Sequence, residues 1–249
     1  MKDLHHNYGL IIIGYGPAGI FRALEFKKIA PEKSVLLLEK GRSIEKRICP
    51  KRKTGICVHC KPCNITTGFA GAGAYSDGKL SLCPEVGGCL PDYISYKKTK
   101  ELIDYVDKTY LSYGADSTIY GLSHPDKITE IRGKAIRSNL KLIECPIRHL
   151  GTEMGYNIYD KIQKHLMELG IELSFNNPVK DFIIGKDGGV KGVIADKGYY
   201  GQDVVVAVGR EGADWLDKVC ARYKINREVG IVDVGVRVEC RDDVMQKLN

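Results

Sequence analysis

The stretch that most constrains this chain is Leu10-Ile-Ile-Ile-Gly14-Tyr-Gly16-Pro17-Ala18-Gly19, a short apolar run that enters glycines spaced G-x-G-x-x-G. Apolar positions at Ile20, Phe21, Leu24 and Ile29 then predict a helix over 20–29, ending before Pro31. A second buried-looking strand, Val35–Leu38, closes on Glu39, 20 positions after Gly19. Strand, glycine turn, helix, strand and acid together form the βαβ context that gives the motif meaning. Gly14 allows the tight turn, Gly16 lets backbone approach a diphosphate, and Gly19 lets helix and strand pack closely. The helix N-terminus, with free N–H groups and partial positive charge, favours an anion, and a carboxylate at Glu39 suits ribose hydroxyls. The residues therefore imply a dinucleotide site.

Composition leaves this reading room. The chain has 249 residues, 43% hydrophobic and 28% charged, enough for a sizeable core and one or two domains. No apolar run reaches the length of a membrane span, and no signal-peptide core precedes the glycine turn, so a cytoplasmic protein with no membrane partner is expected. Much of the formal +7 charge falls in residues 40–53, where Lys40, Arg42, Lys46, Arg47, Lys51, Arg52 and Lys53 accompany a single acid, Glu45. Such a run reads as a solvated face or as an anion site beside a dinucleotide phosphate. No nucleic-acid module accompanies it, so no nucleic-acid partner is expected.

After Glu39 regular periodicity lapses, and residues 41–95 read as a glycine- and cysteine-rich loop insertion. Glycines at 68, 71, 73 and 78 would let backbone pass close to a flat or phosphorylated ligand, with Ser76, Asp77 and Lys79 adding donors and charge. Helices are predicted over 97–113 and 155–169, and short strands over 128–131 and 138–144. Strands at 171–175, 179–184, 190–196 and 198–202 follow, the last three forming a meander with a hairpin signal at Asp187-Gly188. Another apolar strand, 204–208, ends in Gly209-Arg210, a second turn suited to phosphate or ribose. A strand over 231–239 and the start of a helix over 242–248 close the chain. The fold class is α/β: a Rossmann-like parallel sheet with helices and an inserted antiparallel meander.

Cys57-Val-His-Cys60-Lys-Pro-Cys63, preceded by Cys49 and followed by Cys83 and Cys89, leaves three readings open. The thiolates at Cys57, Cys60 and Cys63 suit zinc or an iron–sulfur cluster, with Cys49 or Cys83 as a fourth ligand. They also suit redox-active thiols, and the third reading is a set of reduced cysteines without a ligand. His149, beside Arg148 and Thr152, reads as a structural histidine before a contact to substrate or flavin, and Cys145, Cys220 and Cys240 as packing residues.

The GxGPAG turn, the acid after strand 2, the meander and the strand ending Ala207-Val208-Gly209 resemble the two-dinucleotide-binding-domain flavoproteins. The CxxCxxC run, Gly71-Ala-Gly-Ala-Tyr-Ser-Asp-Gly-Lys79 and Arg148-His-Leu-Gly-Thr152 are similar, more closely, to the uncharacterised bacterial FAD-dependent (NAD/FAD-utilising) dehydrogenases. That resemblance implies FAD held by Gly14, Gly16, Pro17, Ala18, Gly19, Glu39 and Lys40. Backbone near Val179 would meet adenine, Gly209–Arg210 the diphosphate, and Ser76, Asp77 and Lys79 the flavin side. It implies an FAD-dependent oxidoreductase, with NAD(P)H or a small molecule as electron donor and an unidentified acceptor. It also implies residues 1–230 as the FAD domain and 231–249 as the opening of a truncated substrate domain, members of that family being about twice as long. A non-catalytic dinucleotide- or metal-binding module is the alternative, and no acid, base or nucleophile is singled out.

Overall fold

The computed structural model describes residues 7–75, 78–228, 230, 234–236, 239–241 and 244, with backbone alone at 152–153. The chain divides into two compact units, Met1–Ala213 and Asp214–Asn249. The strand expected over 231–239 and the helix expected over 242–248 fall mostly outside the described residues.

In the larger unit β1 (Asn7–Ile13) leads through α1 (Pro17–Ile29) to β2 (Val35–Leu38). Leu10–Ile13 and all of β2 are buried, as expected for central strands of a parallel sheet covered on both faces. Two single-turn helices, α2 (Lys51–Thr54) and α3 (Pro91–Ile94), and the short strand β3 (Lys79–Ser81) interrupt the long insertion. Three longer helices follow: α4 (Tyr96–Ser112), α5 (Pro125–Arg137) and, after β4 (Ile147–His149), α6 (Thr152–Glu168). The chain then runs through β5 (Glu172–Ser174), β6 (Asp181–Ile184), β7 (Val190–Ile194) and β8 (Gly198–Val206).

The main sheet has the order β5-β2-β1-β8-β7-β6, parallel from β5 to β8 and antiparallel through β7 and β6. The expected α/β sheet with an inserted meander is therefore what the chain adopts. One detail differs. The strands expected at 198–202 and 204–208 are a single element, β8, which pairs with β7 over its first residues and with β1 along its length, from Tyr200 opposite Asn7 to Val206 opposite Ile13. A nine-residue strand is long enough to end the meander and supply the fourth parallel strand. Gly192 permits the close β7–β8 approach, since a Cβ there would lie 2.0 Å from the Tyr199 carbonyl oxygen.

Helices α1 and α6 cover one sheet face, where Leu10, Ile12, Val35 and Leu37 meet Ile20, Leu24, Ile158, Ile162 and Leu166. Burying these side chains contributes roughly 1.5–3 kcal/mol apiece. The strands expected at 128–131 and 138–144 do not form. Ile128 and Ile131 lie in α5, which starts at Pro125, carries Asp126 in its first turn and ends with Lys134 and Arg137 in its last. Those end signals outweigh the strand preference of its isoleucines. Residues 138–146 are irregular, and the strand begins only at Ile147.

Strand β4 pairs with β3 as a separate two-stranded sheet, anchored to α4 by Arg148. The Arg148 side chain is 3% exposed, and its guanidinium takes both Asp107 carboxylate oxygens, at 2.5 and 2.8 Å, and the Asp116 carbonyl at 2.6 Å. The hydrogen bonds to Asp107 hold the Arg148 pKa above its ordinary value. In the smaller unit, which continues α7 (Ala213–Arg222), Arg227 pairs with Asp217. No described helix is long and apolar enough to cross a membrane. Replacing Asp107 by Ala leaves a buried guanidinium without its counter-charge. Urea denaturation should read a loss of about 3–5 kcal/mol, whereas truncating either partner of the exposed Lys98–Glu101 pair should cost less than about 1 kcal/mol.

Candidate functional site

The glycine turn between β1 and α1 has the shape its spacing implies. Gly14 has φ +99°, and a Cβ there would lie 2.5 Å from the Ala207 carbonyl oxygen, because the turn nests against the segment leaving β8. A Cβ on Gly19 would sit 2.1 Å from the Gly14 carbonyl oxygen, so only glycine lets the first turn of α1 lie on the end of β1. Gly16 is different. A Cβ there meets nothing within 4 Å, so this face of the turn opens onto free space. Pro17 occupies the first turn of α1, no side chain caps the helix, and its first turn holds no acid, whereas Lys27 and Lys28 lie in the last. The positive end of the helix dipole is thus left without a negative side chain, facing the open space at Gly16.

Glu39 closes the site at the end of β2 and is 6% exposed. One carboxylate oxygen accepts the Tyr15 amide at 3.0 Å and the other the Gly41 amide at 2.8 Å. A carboxylate has about four lone-pair sites, so roughly two remain for a ligand hydroxyl. The Glu39 carbonyl accepts the Asn177 amide at 2.8 Å, which brings the segment before β6, with buried Val179, to the same strand end. Lys40 reaches across to Glu211, 3.0 Å away, in the single helical turn Arg210–Gly212 that follows β8. Gly209 has φ +58° with open space at its Cβ position, and Arg210 is exposed. The carboxyl ends of β1, β2 and β8 thus carry Gly14–Gly19, Glu39–Lys40 and Gly209–Arg210 side by side, the usual ligand edge of an open α/β sheet.

Lys79 joins this edge from another side. With Pro17, Ala18, Gly73, Leu80 and Leu150 it lines a mostly apolar cavity of about 420 Å³ beside the first turn of α1. Ser76 and Asp77 lie outside the described residues.

Two residues that spacing does not reveal hold the site together. Tyr15, inside the glycine motif, is fully buried; its hydroxyl donates to the Leu37 carbonyl and accepts the Ser174 amide at 2.8 Å, and burial pushes its pKa well up. Arg47, expected on a solvated face or at an anion site, is 1% exposed. Its guanidinium donates to the carbonyls of Asn64, Ile65, Phe69 and Gly71 at 2.5–2.9 Å, folding residues 64–71 against the glycine turn, where the Ala70 amide donates to the Tyr15 carbonyl. Burial lowers the Arg47 pKa. Arg42, Lys46, Lys51, Arg52 and Lys53 are exposed, as a solvated face requires.

The cysteine run gathers no ligand set in the described structure. Cys57 and Cys63 are exposed, Cys60 is half-buried, and among the described residues no three Cys, His, Asp or Glu side chains form a metal-ligand group. The run follows an irregular, largely solvent-facing path after α2. Cys63 still has a distinct environment: hydrogen bonds from the Thr66 and Ile65 amides hold its thiol below the usual range.

No family model matches the chain. An uncharacterised protein of Clostridium beijerinckii is 24% identical over 231 residues, covering 92% of this chain and 36% of that protein. The chain thus spans about a third of the length of that curated relative. Among solved structures it is similar to a 3-ketosteroid-Δ4-(5α)-dehydrogenase from Rhodococcus jostii RHA1, with TM-score 0.49, 14% identity and coverage of 83% of this chain and 46% of that one. It is also similar to glycine oxidase from Bacillus cereus, with TM-score 0.48, 14% identity and coverage of 88% and 60%. L-Proline dehydrogenase from P. horikoshii gives TM-score 0.47 and 16% identity, with coverage of 91% and 58%.

Two outcomes test this geometry. Gly16→Ala should change unfolding free energy by less than about 0.5 kcal/mol, whereas Gly19→Ala should lose about 1–3 kcal/mol or more, both read by urea denaturation. The pH profile of Cys63 alkylation should have its midpoint below the roughly 8.5 of a free thiol, because a depressed pKa keeps thiolate present at lower pH.

Proposed function

We propose that the open face of the glycine turn holds the ADP part of FAD, and that the chain belongs to an FAD-dependent oxidoreductase. The observation that carries this reading is the clear space at Gly16 before an uncapped helix N-terminus, with Glu39 at the neighbouring strand end. In this reading the amides at the start of α1 receive the diphosphate, and the remaining lone pairs of Glu39 receive the ribose hydroxyls. Lys40, bridged to Glu211, frames the mouth on the adenosine side. Backbone near Val179 meets adenine, and Gly209–Arg210 borders the diphosphate. The apolar cavity beside Pro17 and Ala18 accommodates the flat end of the cofactor, with Lys79 at its wall and Ser76 and Asp77 adjoining it in sequence.

Bound flavin supplies the hydride and electron chemistry, and the protein supplies orientation and exclusion of water. The electron donor in this reading is NAD(P)H or a small molecule, and the acceptor a second small molecule. The β8 meander, between the second strand and the Gly209 turn, supports FAD over a simple nicotinamide site.

The test is cofactor uptake by the full chain. Added FAD should bind with an absorption band near about 450 nm, and saturating NAD should not displace it. Gly16→Val should weaken FAD at least tenfold, about 1.4 kcal/mol, with the unfolding midpoint unchanged. Unaltered FAD affinity in that variant, or a preference for NAD, would overturn the assignment.

A further inference from the structure

The segments just beyond the small β3–β4 sheet carry a pair of thiols that the site described above does not use. Its register sets Ser81 opposite Ile147, and the Leu82 amide donates to the Pro146 carbonyl at 2.8 Å. Carried past the strand ends, the same register would set Cys83 opposite Cys145. Leu82 and Pro146 occupy a hydrogen-bonded position of the ladder, so the two cysteines fall at the alternate, non-hydrogen-bonded position. There, facing Cα atoms stand about 4.5 Å apart and side chains come closest. That spacing lies within the roughly 4.4–6.8 Å that a disulfide spans. The two thiols are close enough to feel each other, Cys145 adding to burial in raising the Cys83 pKa. Cys83 is buried, and Cys145 is half-buried and open to a small reagent.

We propose that Cys83 and Cys145 form a cross-strand dithiol–disulfide pair that closes on reaction with a low-molecular-weight disulfide such as oxidised glutathione. The Cys145 thiolate attacks one sulfur of the reagent, forming a mixed disulfide and releasing one reagent thiol. The Cys83 sulfur then attacks the Cys145 sulfur, and the second reagent thiol leaves. The two protein thiols lose two electrons and two protons, which reduce the reagent to two thiols. Burial pushes the Cys83 thiol up to about 11, which disfavours its thiolate as the first nucleophile, while half-buried Cys145 is the thiol a small reagent can reach. The bond ties the segment leaving β3 to the segment entering β4. Because Lys79 and Leu80 of β3 line the 420 Å³ cavity, it fixes one wall of that cavity. Nothing in this pairing depends on which cofactor the glycine turn takes.

Oxidised glutathione added to the native chain, followed by denaturing alkylation and trypsin, tests the pair. Fragments 80–97 and 142–148 should be recovered joined, with two alkylatable thiols lost and an intact mass lower by about 2 Da. Because fragment 80–97 also holds Cys89, the joined species should persist in Cys89→Ser, and Cys83 should stay alkylatable in Cys145→Ser. Recovery of Cys83 and Cys145 as separate thiols once the exposed cysteines have reacted would overturn the proposal. So would a stable glutathione adduct on Cys145, or either cysteine joined to another partner, and both readouts come from the unmutated chain should the variants fail to fold.

Discussion

The site depends on one carboxylate. Glu39 takes the amide of Tyr15, in the middle of the glycine turn, and the amide of Gly41, where the chain leaves β2. Its own amide donates to the Ser174 carbonyl at 2.9 Å, and its carbonyl accepts from Asn177. One residue therefore joins the ends of β1, β2 and β5 and the approach to β6. A buried carboxylate is costly unless its oxygens are satisfied, and charge-assisted bonds to backbone amides are the stronger kind. Folding thus takes up about half the acceptor capacity of Glu39 in the turn's own shape.

Arg47 does the complementary work with the opposite charge. Its partners are backbone carbonyls, so the guanidinium serves as a multi-armed donor that gives the irregular segment 64–71 the hydrogen bonds no helix or strand provides. The segment then packs against the glycine turn through Phe69 and Tyr15, whose rings meet edge-to-face at 5.9 Å. Without those carbonyls Arg47 would be an unsatisfied buried cation; without Arg47 the carbonyls would be unsatisfied. Each compensates for burying the other.

The parts legible in the sequence are those whose constraints are local. Gly14 and Gly19 each stand where the backbone leaves no room for a Cβ, Gly16 faces open space, and the acid after β2 sits where strand length puts it. Helix α6 shows its buried stripe because helical period and burial coincide, and α4 a half-buried one around Ile103, Val106 and Tyr110. α5 misleads because its isoleucines favour strands while its ends, Pro125 and Arg137, favour a helix, and no α5 residue is buried deeply enough to make the stripe plain. Arg47 was unreadable for a different reason. Its burial depends on carbonyls roughly 17–24 positions ahead, and a charged residue in a basic run carries no mark of such partners. The cysteine run is open likewise, since spacing alone does not decide whether its thiols converge.

The continuity of β8 explains how the distant halves of the site meet. Read as two strands with a break near Asp203, the meander would be an appendage whose position left Gly209 free to wander. As one strand, β8 is held along β1 from Asn7 to Ile13 and by β7 at its start, so its exit is set by the same ladder that sets the glycine turn. Asp203 is tolerated inside this strand because its side chain is exposed. The Ala207 amide, donating to the Ile13 carbonyl at 2.8 Å, carries the register one step past the strand, and the Lys40–Glu211 pair then joins the following turn to β2. That pair is half exposed and contributes little stability by itself. Its geometry follows from the ladder instead: three strand ends fixed by backbone hydrogen bonds leave Lys40 and Glu211 facing each other across the opening.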